Sequence, residues 1–364
     1  MKWDARNRPL RHPAAALVLL FVVTLPLVNP WVRGDGVGYY AYARSILIQH
    51  HLDFYPDWIY ANASFRMGRV DDRGNVLPGN FTVTGHLENH FSIGPAMLWL
   101  PLLAVTHAGV LAVDRLGAHV DADGFSRPYR YTIALATATY GFLGLWFSMN
   151  LARRYFAERW AVLAMLGIWF ASSLPVYMYF NPSWSHAHSA FIAALFLWYW
   201  NRTRGERGVI QWAILGALAG LLMDVYYPNI LLILAPVLES LGKYIRAIRQ
   251  PAERPRMARL FEGNLAFAAA AVLAFLPTLI TREIVYGSPS ASGYVPLDRW
   301  DWLRPSLVQV LFSSDHGLLS WTPILLPAIV GLLALYRRDR ELATILLTIT
   351  GAFCYLIASY PTWD

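Results

Sequence analysis

The topology turns on residues 94–113, GPAMLWLPLLAVTHAGVLAV. A helix that crosses the hydrocarbon core of a bilayer needs about 20 predominantly apolar residues, and this run is long enough and free of charge. It is not alone. Further apolar runs cover Ala14 to Val32, Tyr131 to Ala152, Trp160 to Phe180, His188 to Trp200, Val209 to Val225, Ile230 to Leu241, Leu265 to Thr281, Leu318 to Tyr336 and Leu342 to Tyr360. Two of these are short, which predicts tilting or local thinning of the bilayer. The question is whether the run at 94–113 crosses with the others.

Basic residues decide it. Lys and Arg collect in loops on the cytoplasmic side of a membrane protein. Here they collect at Lys2, Arg6, Arg8 and Arg11; at Arg153, Arg154 and Arg159; at Arg202, Arg204 and Arg207; at Lys243, Arg246, Arg249, Arg254, Arg256 and Arg259; and at Arg337, Arg338 and Arg340. From Arg153 onward the loops alternate as the rule requires. Upstream, the count works only if the run at 94–113 stays on the outer side as a re-entrant or interfacial helix. The sequence therefore predicts an all-α integral membrane protein with about nine transmembrane helices. It sits in the inner membrane with its N-terminus cytoplasmic. Residues 33–130 form a large first external loop with interfacial helices, and 283–316 form a second.

Composition agrees with this class. Hydrophobic residues make up 56% of the 364 and charged residues 15%, too little charge to cover a soluble domain. The net charge of +7 lies in short loops between apolar runs, which argues against a nucleic-acid surface. The single cysteine, Cys354, excludes a disulfide framework and a cysteine metal cluster. No small-residue cleavage site follows the first apolar run, so it reads as a retained anchor. The last residues, Tyr360 to Asp364, read as the start of another outer loop with further chain beyond. The chain is taken as a single domain over 1–364. It has no phosphate-binding Gly-rich loop, dinucleotide fingerprint or HExxH zinc motif. Asn62-Ala63-Ser64 fits a glycosylation sequon of low specificity.

The candidate chemical residues lie on the outer side. Asp35, in Arg33-Gly34-Asp35-Gly36-Val37-Gly38-Tyr39-Tyr40, sits at the boundary after the first span. It suits a base for an incoming hydroxyl or a cation ligand, and equally a helix N-cap. Glu88 and His90, in Gly85-His86-Leu87-Glu88-Asn89-His90-Phe91, offer a second acid and a phosphate contact, or a solvated loop. Asp53 and Asp57 compete for the acid role. His186 and His188 lie at the mouth of a span, but an i, i+2 pair does not share a helix face. Asp224 ends another span, where an acid is costly unless hydrated or paired. Arg282 and Arg304 suit a lipid phosphate or plain interfacial anchoring, and Asp315-His316 precedes the next helix. The stretch Tyr39 to Leu52 reads as a helix lying in the interface.

The segment Gly34-Asp35-Gly36-Val37-Gly38-Tyr39-Tyr40-Ala41-Tyr42-Ala43-Arg44-Ser45 resembles the start of the first external loop in GT-C glycosyltransferases. The similarity is to the branch with bacterial aminoarabinose transferases and protein O-mannosyltransferases. In that family an acid follows the first helix, a Tyr and an Arg follow on an interfacial helix, and a second acid precedes a Pro-containing apolar run. Glu88-Asn89-His90-Phe91-Ser92-Ile93-Gly94-Pro95 is similar to the last of these. The family's basic residue after the second acid is absent, its place held by Asn89 and His90. The resemblance implies an inverting transferase that uses a polyprenyl-phosphate-linked sugar at the outer face, with a lipid, glycan or protein as acceptor. It implies Asp35 and Glu88 as catalytic acids and candidate ligands of a divalent cation, Mg or Mn. It also implies Tyr39, Tyr42 and Arg44 as substrate contacts, to which position at the outer edge adds His90, His186, Asp224, Arg282, Arg304 and His316. A lipid or glycan transporter or flippase without transferase activity is the alternative, and a membrane scaffold the third reading.

Overall fold

The computed structural model describes residues 13–291 and 293–361. The basic residues expected at the N-terminus, Lys2 to Arg11, lie outside them, as do residues 362–364. Among the described residues the chain is helical, and its only β pairing is two isolated bridges, Val70 with Val76 and Phe81 with Leu87.

The first helix, α1 (Pro13–Thr24), continues as one 3₁₀ turn to Leu27. The first loop holds α2 (Asp35–Arg44), α3 (Tyr55–Tyr60), α4 (Ala63–Arg66) and α5 (Gly94–Arg115). Then follow α6 (Arg127–Ala152), α7 (Glu158–Ala171), α8 (His186–Thr203), α9 (Val209–Val225), α10 (Leu234–Arg249) and α11 (Pro255–Tyr286). After the second loop's α12 (Leu307–Phe312) come α13 (Leu318–Trp321), α14 (Leu325–Tyr336) and α15 (Arg340–Ser359). Two expected runs are broken. Trp160 to Phe180 splits at residues 172–175, and Leu318 to Tyr336 splits before α14. Ser172 has an extended backbone at the first break, and at the second Pro323, lacking an N–H, interrupts the helical ladder.

Four helices are long and apolar enough to cross a membrane: α5, α6, α11 and α15. The burial of α11 is inverted relative to a water-soluble protein. On α11 the buried residues include Gly263, Ala271, Thr278 and Thr281, while Leu265, Val272, Leu273 and Ile280 face outward. Small residues inside let helices approach closely, as expected where lipid rather than water is the solvent. On α9, Gly216 and Gly220 lie against the backbone of α11 at Phe267 and Ala271, with no room for a Cβ.

The bundle has two unlike ends. The basic loops gather at one. Arg154 bonds Asn201, Arg338 bonds the Tyr155 carbonyl, Arg204 pairs with Asp339, and Arg207 and Lys243 both pair with Glu239. The start of α2, the 181–186 turn, the end of α9 and the end of α11 meet at the other.

At this second end α5 runs antiparallel to the first half of α6. Trp99 donates to Thr137 at 2.9 Å, and His107 meets Tyr129 at 2.6 Å. Its N-terminus abuts Asp224 and Val225, so α5 leads away from the basic end rather than toward it. Around it lies a separate core made of α2, Phe54, Trp58, Phe65, Phe91, Trp99, Leu103 and Tyr129. Here the structure departs from the expectation of an interfacial helix after Tyr39. Residues Gly36 to Arg44 of α2 are all buried. Two glycines make this enclosure fit: a Cβ on Gly36 would strike Ser183, and one on Gly38 the Phe91 ring.

Candidate functional site

Asp35 opens α2. The residue before it, Gly34, has φ of 54°, a conformation suited to a residue without a Cβ. Arg33 and Gly34 are clamped in place. The Gly34 N–H donates to Asn62 Oδ1 at 2.9 Å, Trp184 Nε1 donates to the Arg33 carbonyl at 3.0 Å, and Arg33 Nε donates to Asn181 at 2.8 Å. Gly34, not Asp35, is the N-cap. The Asp35 carboxylate therefore does not cap the helix, and among the described residues it makes no hydrogen bond or ion pair. Burial pushes its pKa above the ordinary carboxylate value, while His90 and Arg69 pull it back. Tyr39, Tyr177, Tyr226 and Tyr294 lie within electrostatic reach of it.

A polar cavity of 270 Å³ is lined by Trp58, Arg69, Asn80, Glu88, His90 and Phe91 among others; Asp35 is not in its wall, but His90 and Arg69 of that wall act on its carboxylate. His90 Nδ1 lies 3.5 Å from Glu88. That hydrogen bond holds the Glu88 carboxyl below its usual range. The His90 ring is packed between Phe91, at 4.1 Å, and Tyr294, at 5.2 Å between centroids. Trp58 is 1% exposed, and its Nε1 has no acceptor. The cavity thus presents the donors Arg69, His90, Asn80 and Trp58 against one acid that is already engaged.

Several sequence candidates hold the site rather than face it. Asn89, fully buried, donates to the Gly38 carbonyl at 2.9 Å. Its own carbonyl accepts from Tyr42 Oη and from Arg282 Nη1, both at 3.0 Å. Arg282, 2% exposed, also donates to the His90 carbonyl at 2.8 Å and to Tyr227 Oη. Arg282 therefore ties the 89–91 strip to the end of α11 and so aims His90. Tyr39 accepts from Ser185 at 3.0 Å. Arg44 is committed to both oxygens of Asp57, at 2.6 to 2.9 Å, with both side chains buried. Burial pushes Asp57 up to about 6 despite that pairing. Asp53 accepts from the Tyr55 N–H and closes a turn.

The remaining candidates are dispersed. His186 stacks on Tyr177 at 4.0 Å and approaches Tyr226 at 6.5 Å, at the edge of the Asp35 group. His188 is buried against Trp99 at 4.9 Å and does not share a site with it. Asp224 is fully buried and accepts from Thr278 Oγ1 at 2.5 Å through one oxygen, the other having no partner. Arg304 is exposed in its own loop, and His316 stacks on Trp321 at 5.4 Å.

Sequence reasoning missed Arg69 and Trp58. Both belong to the irregular excursion around α3 and α4, where no periodic pattern announces them. Among the described residues no three His, Cys, Asp or Glu side chains converge on one point, and the Arg69 guanidinium acts on both Asp35 and Glu88. Comparison with known proteins finds no matching family model, no matching curated protein and no matching solved structure.

Proposed function

We propose that the chain is an inverting glycosyltransferase that takes its sugar from a polyprenyl phosphate at the outer face of the inner membrane. The observation that carries this reading is the Asp35 carboxylate, half-enclosed, without a hydrogen-bond partner, raised in pKa by burial, and acted on by Arg69 and His90 from the wall of a donor-lined cavity. A carboxylate with a raised pKa takes a proton more readily than an ordinary one. In the reaction the acceptor hydroxyl oxygen attacks the anomeric carbon, and its proton passes to Asp35. The bond from that carbon to the phosphate oxygen breaks, and polyprenyl phosphate leaves with the electron pair. Arg69 and His90 stabilise the charge that develops on the phosphate. Glu88 orients His90 through Nδ1, and Arg282 fixes the strip that carries both.

The membrane topology belongs to the same proposal. With the basic end cytoplasmic, about nine helices cross, α5 remains in the outer layer, and the isoprenoid tail lies against the exposed apolar flanks of the bundle. The test is release of polyprenyl phosphate by the purified chain from a panel of polyprenyl-phosphate-linked hexoses and pentoses, with lipid, glycan and peptide acceptors. Release by the wild type and none by Asp35→Asn is expected. Equal release by both would remove Asp35 from the reaction. Movement of the donor across a vesicle wall without release would favour a transporter.

A further inference from the structure

A second cavity, of 150 Å³, opens behind α2. At about 100° of turn per residue, Val37, Tyr40 and Arg44 stand roughly opposite Asp35, Tyr39 and Tyr42, so this cavity and the Asp35 group occupy different sides of one helix. Its walls include Trp31, Tyr40, Tyr60, Phe125, Asp57 and Arg130.

Most of the polar groups in these walls are already used. Tyr40 donates to the Gly124 carbonyl at 2.6 Å, and both Asp57 oxygens accept from Arg44. Asp123, on the adjoining loop, spends Oδ1 on the N–H groups of Phe125 and Ser126, at 2.8 and 3.2 Å. Arg130 is the exception. Its Nε is sealed from solvent with no acceptor, and among the described residues its guanidinium makes no hydrogen bond or ion pair. The Ser126 hydroxyl, one turn earlier, is likewise buried and unpartnered. A guanidinium Nε sealed from water and left without an acceptor gains when a ligand supplies one.

The mouth of the cavity indicates where such a ligand comes from. Trp31 is 45% and Tyr60 71% exposed, and Tyr60 stacks on Phe125 at 4.5 Å to make a flat aromatic wall. Trp31 follows closely on α1, whose Val18, Leu19, Val22 and Val23 face outward. Where those residues meet acyl chains, Trp31 stands at the level of the headgroups.

We propose that this cavity holds the phosphodiester headgroup of a phospholipid from the leaflet at the Asp35 end. Arg130 is its cation, and the Tyr60–Phe125 wall lies against the glycerol and alcohol parts. The site is separate from the proposed transfer chemistry and does not depend on it. The test uses the full chain, purified in detergent and stripped of native lipid. It is titrated with dihexanoyl phosphatidylglycerol and, separately, with inorganic phosphate, and bound lipid is counted by native mass spectrometry. One saturable lipid per chain is expected, weakened at least about tenfold in Arg130→Gln. Arg130→Lys should fall between, because lysine keeps the charge but loses the planar fork. Displacement of the lipid by phosphate would show that the phosphoryl group suffices, and a failure to displace it would show that the lipid body is needed; both support the site. Equal lipid affinity in the wild type and a folded Arg130→Gln would overturn it. If that variant does not fold, Tyr60→Ala, on the exposed wall, carries the test, and unchanged affinity there is equally fatal.

Discussion

Two acids at opposite ends of the bundle, Glu239 and Asp35, are held in opposite ways. At the basic end Glu239 is 1% exposed and accepts from Arg207, Lys243 and Trp200 Nε1, each at 2.7 Å. Arg204 and Asp339 pair beside it. At the far end the Asp35 carboxylate has no partner, and the indole N–H of Trp58 has no acceptor. Satisfied networks of this kind make a structure rigid. Groups left open beside a cavity gain their partners when a ligand arrives, which is why the open end is read as the site and the closed end as the frame.

The largest expected effect tests the open end. Asp35→Asn should lower the transfer rate by about 10²- to 10⁴-fold, the usual contribution of a general base, and leave the thermal unfolding midpoint in detergent where it was. A fall in the midpoint would mean that Asp35 belongs to the frame after all. Glu239→Gln should do the reverse. It leaves the fully buried Arg207 without its counter-charge, an uncompensated loss of about 3–5 kcal/mol in stability. The midpoint should drop sharply, with donor binding by the surviving folded fraction unchanged. Equal sensitivity of both variants to heat would erase the contrast. A smaller effect is expected at Gly38→Ala, which forces a methyl against the Phe91 ring. Overpacking of this kind costs about 1–3 kcal/mol. Because Phe91 adjoins His90, the variant should lose rate as well as stability, read as kcat beside the midpoint.

Much of this frame was legible in the sequence. The apolar run Val209 to Val225 matches α9 at both ends, and charge alone groups the loops from Arg153 to Arg340. The burial of α2 was not legible. Its Tyr, Arg and Gly content looks amphipathic, and only the neighbours that meet Gly36 and Gly38 reveal a helix enclosed on all sides. In the site, Asp35 and the 88–90 strip could be singled out because a motif surrounds them. Arg282 was chosen for the right place and the wrong contact: a guanidinium at the end of a span suggests a phosphate, but here three successive carbonyls and Tyr227 take it up. Arg69 could not be found, since loop arginines are common and nothing local distinguishes the one that faces two acids.

The smallest effect, and the most specific, concerns pH. Asp35 accepts a proton only when ionised, so activity falls as pH drops through its pKa. Burial raises that pKa, and the acid limb of kcat/KM against pH, which reports the free enzyme, should therefore lie above the range of an ordinary carboxylate. Arg69 opposes the shift by stabilising the ionised form. Removing its charge in Arg69→Gln should move the acid limb to still higher pH. The same substitution lowers the overall rate if Arg69 also meets the leaving phosphate, but a fall in amplitude leaves the position of the limb untouched, so the two roles separate in one titration. A limb that stayed in place, or moved to lower pH, would mean that Arg69 does not act on the base. The open end would then be two independent features that happen to adjoin.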